Sequence, residues 1–410
     1  MTAHQLKKIP LDQLRPGMYV GNVFNTNGIL LYSFNTLIVD YAQVEALRRQ
    51  GVKTVGINLQ KGKGAELAEE KSDSGENPPV PSETTREKVL PGFDPLKIEE
   101  VVTLRNRTLD AVHDIMAAAA AGRMFSLNTV TENVSAIVDI MLGDPDLLLN
   151  INRLQSERPV AYVHSVNVAV LMVGFASGLG YGSSELLDIG IGGMLHDIGK
   201  IRLPEELLYM HGSCTRQEYE LFKKHPSIGL DIIENSCAPV SPVVKSIVGQ
   251  HHERLNGGGY PRQLREGSID ELAMVCAIAD MYDAMTGSRS YHRKYIPQEA
   301  LALIFQGADE ELPRRLVEHF TKLLGIYPVG SFVKIDSGEM GVVIRNNRNK
   351  LLMPVVKILF DADGTQRATP YIKDLSIVSS MEENTSRRIL NSFDPQEFNM
   401  QDNQFFYDML

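Results

Sequence analysis

The stretch HHERLNGGGYP, His251 to Pro261, sets two adjacent histidines at the end of a helical pattern and then passes to glycines, a tyrosine and a proline. Upstream, Val243, Ile247 and His251 share one helical stripe, and Val244, Val248 and His252 share the next. Neighbouring helical residues point about 100° apart, so the two stripes make one broad core-facing band that ends in imidazoles. Unpaired polar groups in a core are costly. One buried histidine can be satisfied by a carbonyl; a pair at one helix end points to something larger, such as a metal.

The arrangement recurs along the chain. SSELLDIGIGGMLHDIGK (183–200) reads as a helix capped near Ser183, with His196 and Asp197 adjacent at its end and Gly199 to stop it. His164 lies on a helix whose face continues through Val168, Leu171 and Phe175, and His225 ends EYELFKKH just before Pro226. Asp280 falls within the almost wholly apolar ELAMVCAIADMYDAM, where Ala273, Cys276, Ala277 and Ala284 are small neighbours on its face. A carboxylate in such a place is protonated, paired or metal-bound. Any one of these histidines alone reads better as a satisfied core or surface residue. Five histidines and two aspartates at inward or terminal positions of five helical segments reverse that reading. Imidazole and carboxylate without thiolate suit Fe, Mn, Zn or Ni. Seven donors exceed one ion's needs, which predicts two ions sharing a bridging carboxylate, the layout of two-metal phosphoester hydrolysis.

At 410 residues the chain is long enough for two or three domains, and its composition is that of a soluble globular protein. A net charge of −10 argues against binding a nucleic-acid polymer, and any phosphate site must create its own local positive field. Cys214, Cys237 and Cys276 form no C-x-x-C pair, which fits reduced thiols in a cytoplasmic protein. The N-terminus lacks the apolar segment of a signal peptide, and the most apolar stretch, Val163 to Gly178, reads as short of a membrane span. Residues 1–60 alternate short strands (MYVGNV, TLIV, VKTVGINL) with a helix, YAQVEALRRQ, forming a small α+β domain. Residues 61–94 are polar and rich in Pro, Gly and Ser, and read as a flexible linker. Helical periods fill 95–154 and 155–327, with a capping box at Thr215 and Glu218 and a helix start at Ser241-Pro242. Residues 328–410 turn to strands (GSFVKI, GEMGVVIRNN, PVVKILFD), and the final thirty or so give no clear assignment.

His164, HDIGK at His196–Lys200, His225-Pro226, HHERLNGGGYP and IADMYDAMT around Asp280 together resemble the HD-GYP domain, the bacterial branch of the HD phosphohydrolases that hydrolyses cyclic di-GMP. The resemblance covers 155–327, with 95–154 as a helical lead-in, and residues 5–60 resemble the small domain of unknown function often found ahead of it. It implies a multidomain protein: a mainly α-helical HD-type core, a small α+β N-terminal domain and a small β C-terminal segment. By position, the family's metal ligands fall on His164, His196, Asp197, His225, His251, His252 and Asp280, with Asp197 bridging. The implied cofactors are two divalent ions, Fe or Mn first, with Zn, Ni or Mg as alternatives. Lys200 looks like the lysine facing the scissile phosphate, and Arg289 like the arginine holding phosphate or guanine. Tyr260 reads first as packing for its loop and second as a substrate contact. Glu253 and Arg254 read as a local or supporting ion pair.

Three positions depart from the family pattern. Val160 stands where some members carry a glutamate tied to a third ion, Asn256 where the loop usually has Asp, and His292 near where members often have Arg or Lys. The implied reaction is attack by a metal-activated bridging hydroxide, with Lys200 helping to stabilise the phosphoryl charge and the 3′ oxygen leaving. Cyclic di-GMP would give pGpG, with GMP as a further product. The rival readings are a metal-containing cyclic di-GMP sensor or adaptor with little turnover, and a nucleotidase acting on other phosphoesters. A diguanylate cyclase (GGDEF) partner and a homodimer are the protein partners these readings admit.

Overall fold

The computed structural model describes residues 6–24, 30–38, 41, 44, 47–48, 52–62, 93–152, 156, 158–208, 215–236, 240–287, 295–377 and 387–394. The chain divides into two units, residues 1–84 and 85–410.

In the first unit β1 (Leu6–Pro10), β2 (Met18–Phe24), β3 (Leu30–Leu37) and β4 (Thr54–Gly62) form an antiparallel sheet in the order β1-β4-β2-β3. Ile9, Met18, Val20, Val55 and Ile57 are buried in one core with Val44 and Leu47. Of the helix expected over 41–50, residues 41, 44, 47 and 48 are described, and all four are helical. The strand expected at TLIV instead starts at Leu30 and ends at Leu37. The strand LKKIP escaped the sequence reading because it lies at a sheet edge, where exposed Lys7, Lys8 and Pro10 are at home and erase the apolar signal. Within the linker expected over 61–94, residues 63–92 lie outside the described residues.

The second unit is mainly helical. Its helices are α1 (Pro95–Ala120), α2 (Asn128–Gly143), α3 (Pro145–Asn152), α4 (Val160–Leu179), α5 (Ser183–Leu195) and α6 (Glu205–Leu208). They continue as α7 (Arg216–Phe222), α8 (His225–Ser236), α9 (Pro242–Gln250), α10 (Glu271–Thr286), α11 (Pro297–Gln306) and α12 (Arg314–Leu324). Starts follow side-chain chemistry. Thr215 and Glu218 exchange reciprocal bonds of 3.3 and 2.7 Å, and Ser241 accepts from Val244 N at 3.4 Å. Asp94 and Asp270 cap α1 and α10 by accepting from Leu96 N and Leu272 N. Helix α5 is capped differently from expectation: it begins after Gly182, whose N–H donates to Glu185 at 2.9 Å.

At 20 residues and a mean hydropathy of 1.6, α4 has the length and composition of a membrane span, contrary to the sequence reading. Its packing decides the matter. Val168, Ala169, Met172 and Val173 are fully buried against neighbouring helices, and 67% of its apolar window is buried inside the protein. It is the central core helix, apolar all round because it is surrounded.

Apolar residues of α1 and α2 share one continuous core with those of α4, α5, α9 and α10. The C-terminal sheet, β5 (Phe332–Ile335), β6 (Met340–Arg345), β7 (Val355–Phe360), β8 (Gln366–Asp374) and β9 (Ile389–Phe393), runs in the order β8-β7-β6-β5-β9. Period-two alternation splits its faces. Phe332, Val342 and Ile344 join the helical core, while Val333, Val343, Val356 and Ile358 form a second cluster. Asn150 ties α3 to this sheet by donating to Ile344 O at 3.0 Å. A mainly helical core with a small sheet at each end of the chain is the fold class the sequence predicts.

Candidate metal centre

Helix ends create the site. Helix α5 stops at His196, and Asp197 leads into a 3-10 turn, Ile198–Arg202. Helix α9 stops at His251 and is followed by His252, while His225 opens α8. His164 lies near the start of α4, and Asp280 lies in the middle of α10. Gly199 lets two of these segments meet: a Cβ there would lie 1.9 Å from His225 O. No side chain fits that gap.

The structure brings all seven donors together. One ligand atom from each of Asp197, His225, His251 and His252 lies within 4.8 Å of the others, and the same holds for His164, His196 and Asp280. Asp197 touches both groups, with Oδ1 3.3 Å from His225 Nε2 and 3.6 Å from His251 Nε2, and Oδ2 3.4 Å from His196 Nε2 and 3.7 Å from His164 Nε2. All except half-buried His252 are buried.

The outer nitrogens are fixed by bonds the sequence did not reveal. His196 Nδ1 donates to Gly193 O at 2.7 Å, His225 Nδ1 to Phe222 O at 2.9 Å, and His251 Nδ1 to Ile247 O and Val248 O at 3.1 Å. Each bond leaves the Nε2 lone pair facing the cluster. His164 Nδ1 instead meets Asp283 Oδ2 at 2.7 Å, and Asn167 donates to Asp283 Oδ1 at 2.9 Å. Asp283 was missed as a site residue; its only signal is its place three residues after Asp280, on the same helical face.

This donor set fits metal. His196 Nε2, His252 Nε2 and Asp197 Oδ1 are buried without a hydrogen-bond partner, and His164 Nε2, although 3.0 Å from Asp280 Oδ1, lacks hydrogen-bond alignment. His225 Nε2 and His251 Nε2 face each other at 3.3 Å, although each ring already spends its Nδ1 hydrogen on a carbonyl. Two opposed lone pairs and several orphaned buried acceptors are stabilised by a shared cation. A proton does not serve at His251, because burial pushes that imidazole down to about 4. His252 is also held well below the ordinary histidine range, by burial and then by His251. Burial opposes ionisation of Asp197, but Lys200 and His196 outweigh it and hold the carboxyl well below the usual range. Asp280 behaves likewise, with His164 the leading counterweight to burial. His164 goes the other way: burial works against its charge, yet Asp280 and Asp283 raise it to about 9.

Lys200 Nζ contacts Asp197 Oδ2 and lies 5.3 Å from the Phe222 ring centroid. Tyr260 stacks on His252 at 4.6 Å and 25°, and meets His225 edge-on at 6.1 Å. The expected Glu253–Arg254 pair does not form. Glu253 bonds to backbone amides of the following loop, and Arg254 donates to the His251 and Glu253 carbonyls. Asn256 Oδ1 accepts from Gly258 N at 2.8 Å, a turn bond that needs no charge. Arg289 and His292 lie outside the described residues.

A helical bundle that converges histidines and aspartates on one buried cluster able to hold metal is the arrangement of the HD class of metal-dependent hydrolases. The HD domain family matches residues 149–315, a domain of unknown function (DUF3391) matches 6–130, and a KOW domain associated with the HD domain matches 332–401. A cyclic di-GMP phosphodiesterase of Pseudomonas aeruginosa is 32% identical over 387 residues, spanning 90% of this chain and 89% of that protein. A cyclic di-GMP phosphodiesterase of Thermotoga maritima is 30% identical, over 56% of this chain and 62% of its own length. A 3′3′-cGAMP-specific phosphodiesterase of Vibrio cholerae is 29% identical, over 50% of this chain and 40% of its own length. The chain belongs to the HD-GYP family of phosphodiesterases.

Proposed function

We propose that this protein hydrolyses cyclic di-GMP to pGpG with two divalent ions held by His164, His196, Asp197, His225, His251, His252 and Asp280. The observation that carries this reading is the donor arrangement: two groups of ligand atoms meet at Asp197, which belongs to one and turns its second oxygen toward His164 and His196 of the other. The Pseudomonas relative, similar over nearly the whole chain, supports the substrate. Bound there, the ions supply Lewis acidity toward the phosphoryl oxygens and a nucleophile from water at neutral pH. Fe or Mn suits this nitrogen-and-oxygen set first, with Zn, Ni or Mg as alternatives.

The remaining steps belong to the chain's own groups. Carbonyl bonds at Nδ1 of His196, His225 and His251 fix the tautomer before any ligand arrives, so no reorganisation is needed on binding. Lys200, three-quarters buried beside Asp197, places a positive charge where phosphoryl oxygens gain negative charge. Tyr260 holds the face of His252 and closes that side against water. Arg289 is the proposed second phosphate or guanine contact.

The test uses full-length protein loaded anaerobically with Mn²⁺ or Fe²⁺, metal counting, and chromatography of the products from cyclic di-GMP. Two ions per chain and accumulation of pGpG are expected. Binding of cyclic di-GMP without pGpG would mean an adaptor, and turnover of other phosphoesters alone would mean a nucleotidase.

A further inference from the structure

Glu253 is fully buried, yet its carboxylate is held by backbone amides rather than by a cation. Its Oε1 accepts from Arg262 N and its Oε2 from Leu264 N, both at 2.8 Å. Between these donors, Gln263 has φ of 56°, a left-handed conformation that non-glycine residues rarely adopt. With that residue reversed, the flanking amides converge on one carboxylate, in the manner of a backbone nest around an anion. The anion here is a side chain of the same chain, nine and eleven residues before its donors.

The closed loop carries the site's outer wall. Tyr260 N donates to His252 O at 3.1 Å, and a Cβ at Gly259 would lie 2.5 Å from His252 O and from Glu253 Cα. The loop therefore lies directly on the backbone that bears His251 and His252. Tyr260 then reaches back to stack on the His252 ring. A buried carboxylate needs strong donors to persist, and the loop backbone provides them.

We propose that Glu253 is a positioning residue: the internal anion of the Arg262–Leu264 nest, pinning the Asn256–Pro261 loop so that Tyr260 holds His252 in its metal-binding orientation. This rests on the proposed role of His252 as a ligand but not on the identity of the substrate. Glu253→Gln keeps the shape and one acceptor, and turns an amide NH2, a donor, toward a backbone N–H. In full-length protein, amide exchange at Arg262 and Leu264 should accelerate about tenfold or more, while exchange in α10 stays unchanged. Calorimetric Mn²⁺ affinity should fall about tenfold, and excess Mn²⁺ should restore most of kcat. Gln263→Pro, at an exposed position whose φ proline cannot adopt, should reproduce these effects without touching the buried carboxylate. It decides the matter if Glu253→Gln fails to fold.

Unchanged exchange at both amides would overturn the proposal. So would faster exchange with undiminished Mn²⁺ affinity. Wild-type protein that binds Mn²⁺ but leaves cyclic di-GMP intact would instead overturn the functional reading, with the exchange and affinity results standing apart from it.

Discussion

His164 and His251 belong to one buried cluster, yet their surroundings pull their protons in opposite directions. His164 lies between Asp280 and Asp283, which outweigh burial and raise it to about 9. His251 lies among imidazoles, with its Nδ1 bonded to carbonyls, and burial lowers it to about 4. At neutral pH His164 is therefore held protonated, while His251 stays neutral with its Nε2 lone pair free. The same residue type is made more basic at His164 and left neutral at His251 by what stands behind it: carboxylates or carbonyls.

The strongest way to break this comparison is to remove what joins the halves. Alanine at both His196 and Asp197 should abolish turnover in the product assay while circular dichroism keeps its helical signal; retained turnover would remove the site from the reaction. Next, Lys200→Ala should lower kcat on the order of a hundredfold with metal content unchanged, as loss of a preorganised charge does. Asp283→Asn sharpens the contrast by acting on one half. Calorimetry should show Mn²⁺ affinity falling about 10- to 100-fold for one ion and staying constant for the other. Equal weakening of both would mean the halves are not separable.

The smallest effect is the pH dependence of the metal-free protein. Stability from the raised His164 is complete below about 6.5 and lost as pH rises through about 9. The lowered His251 has the opposite sign: its contribution is complete above about 6.5 and lost as pH falls toward about 4. Each slope is at most about 1.4 kcal/mol per pH unit. Urea midpoints should therefore peak near pH 6.5, and a midpoint that climbs from pH 7 to 9 would contradict the assignment of His164.

Most of the clustered positions were legible because imidazoles at helix ends interrupt an apolar period, as His251 and His252 do one turn after Ile247 and Val248. The supports behind them were not. Carbonyl partners such as Gly193 O and Phe222 O carry no side-chain signature, and Asp283 looks in sequence like any polar residue on a helix. Glu253 misled because adjacency to Arg254 suggested a local pair, whereas its partners come from beyond a turn. Strands β1, β8 and β9 are sheet edges with exposed or polar positions, so the alternation that betrays a half-buried strand is weak in each.

At position 199 the fold accepts a hydrogen and nothing larger, because the His225 carbonyl occupies the space a methyl group would need. A residue without a side chain thus sets how closely the His225 backbone approaches the turn that follows Asp197. Alanine there would wedge the histidine of α8 away from the aspartate it faces, and the cluster would open although every one of its side chains is kept.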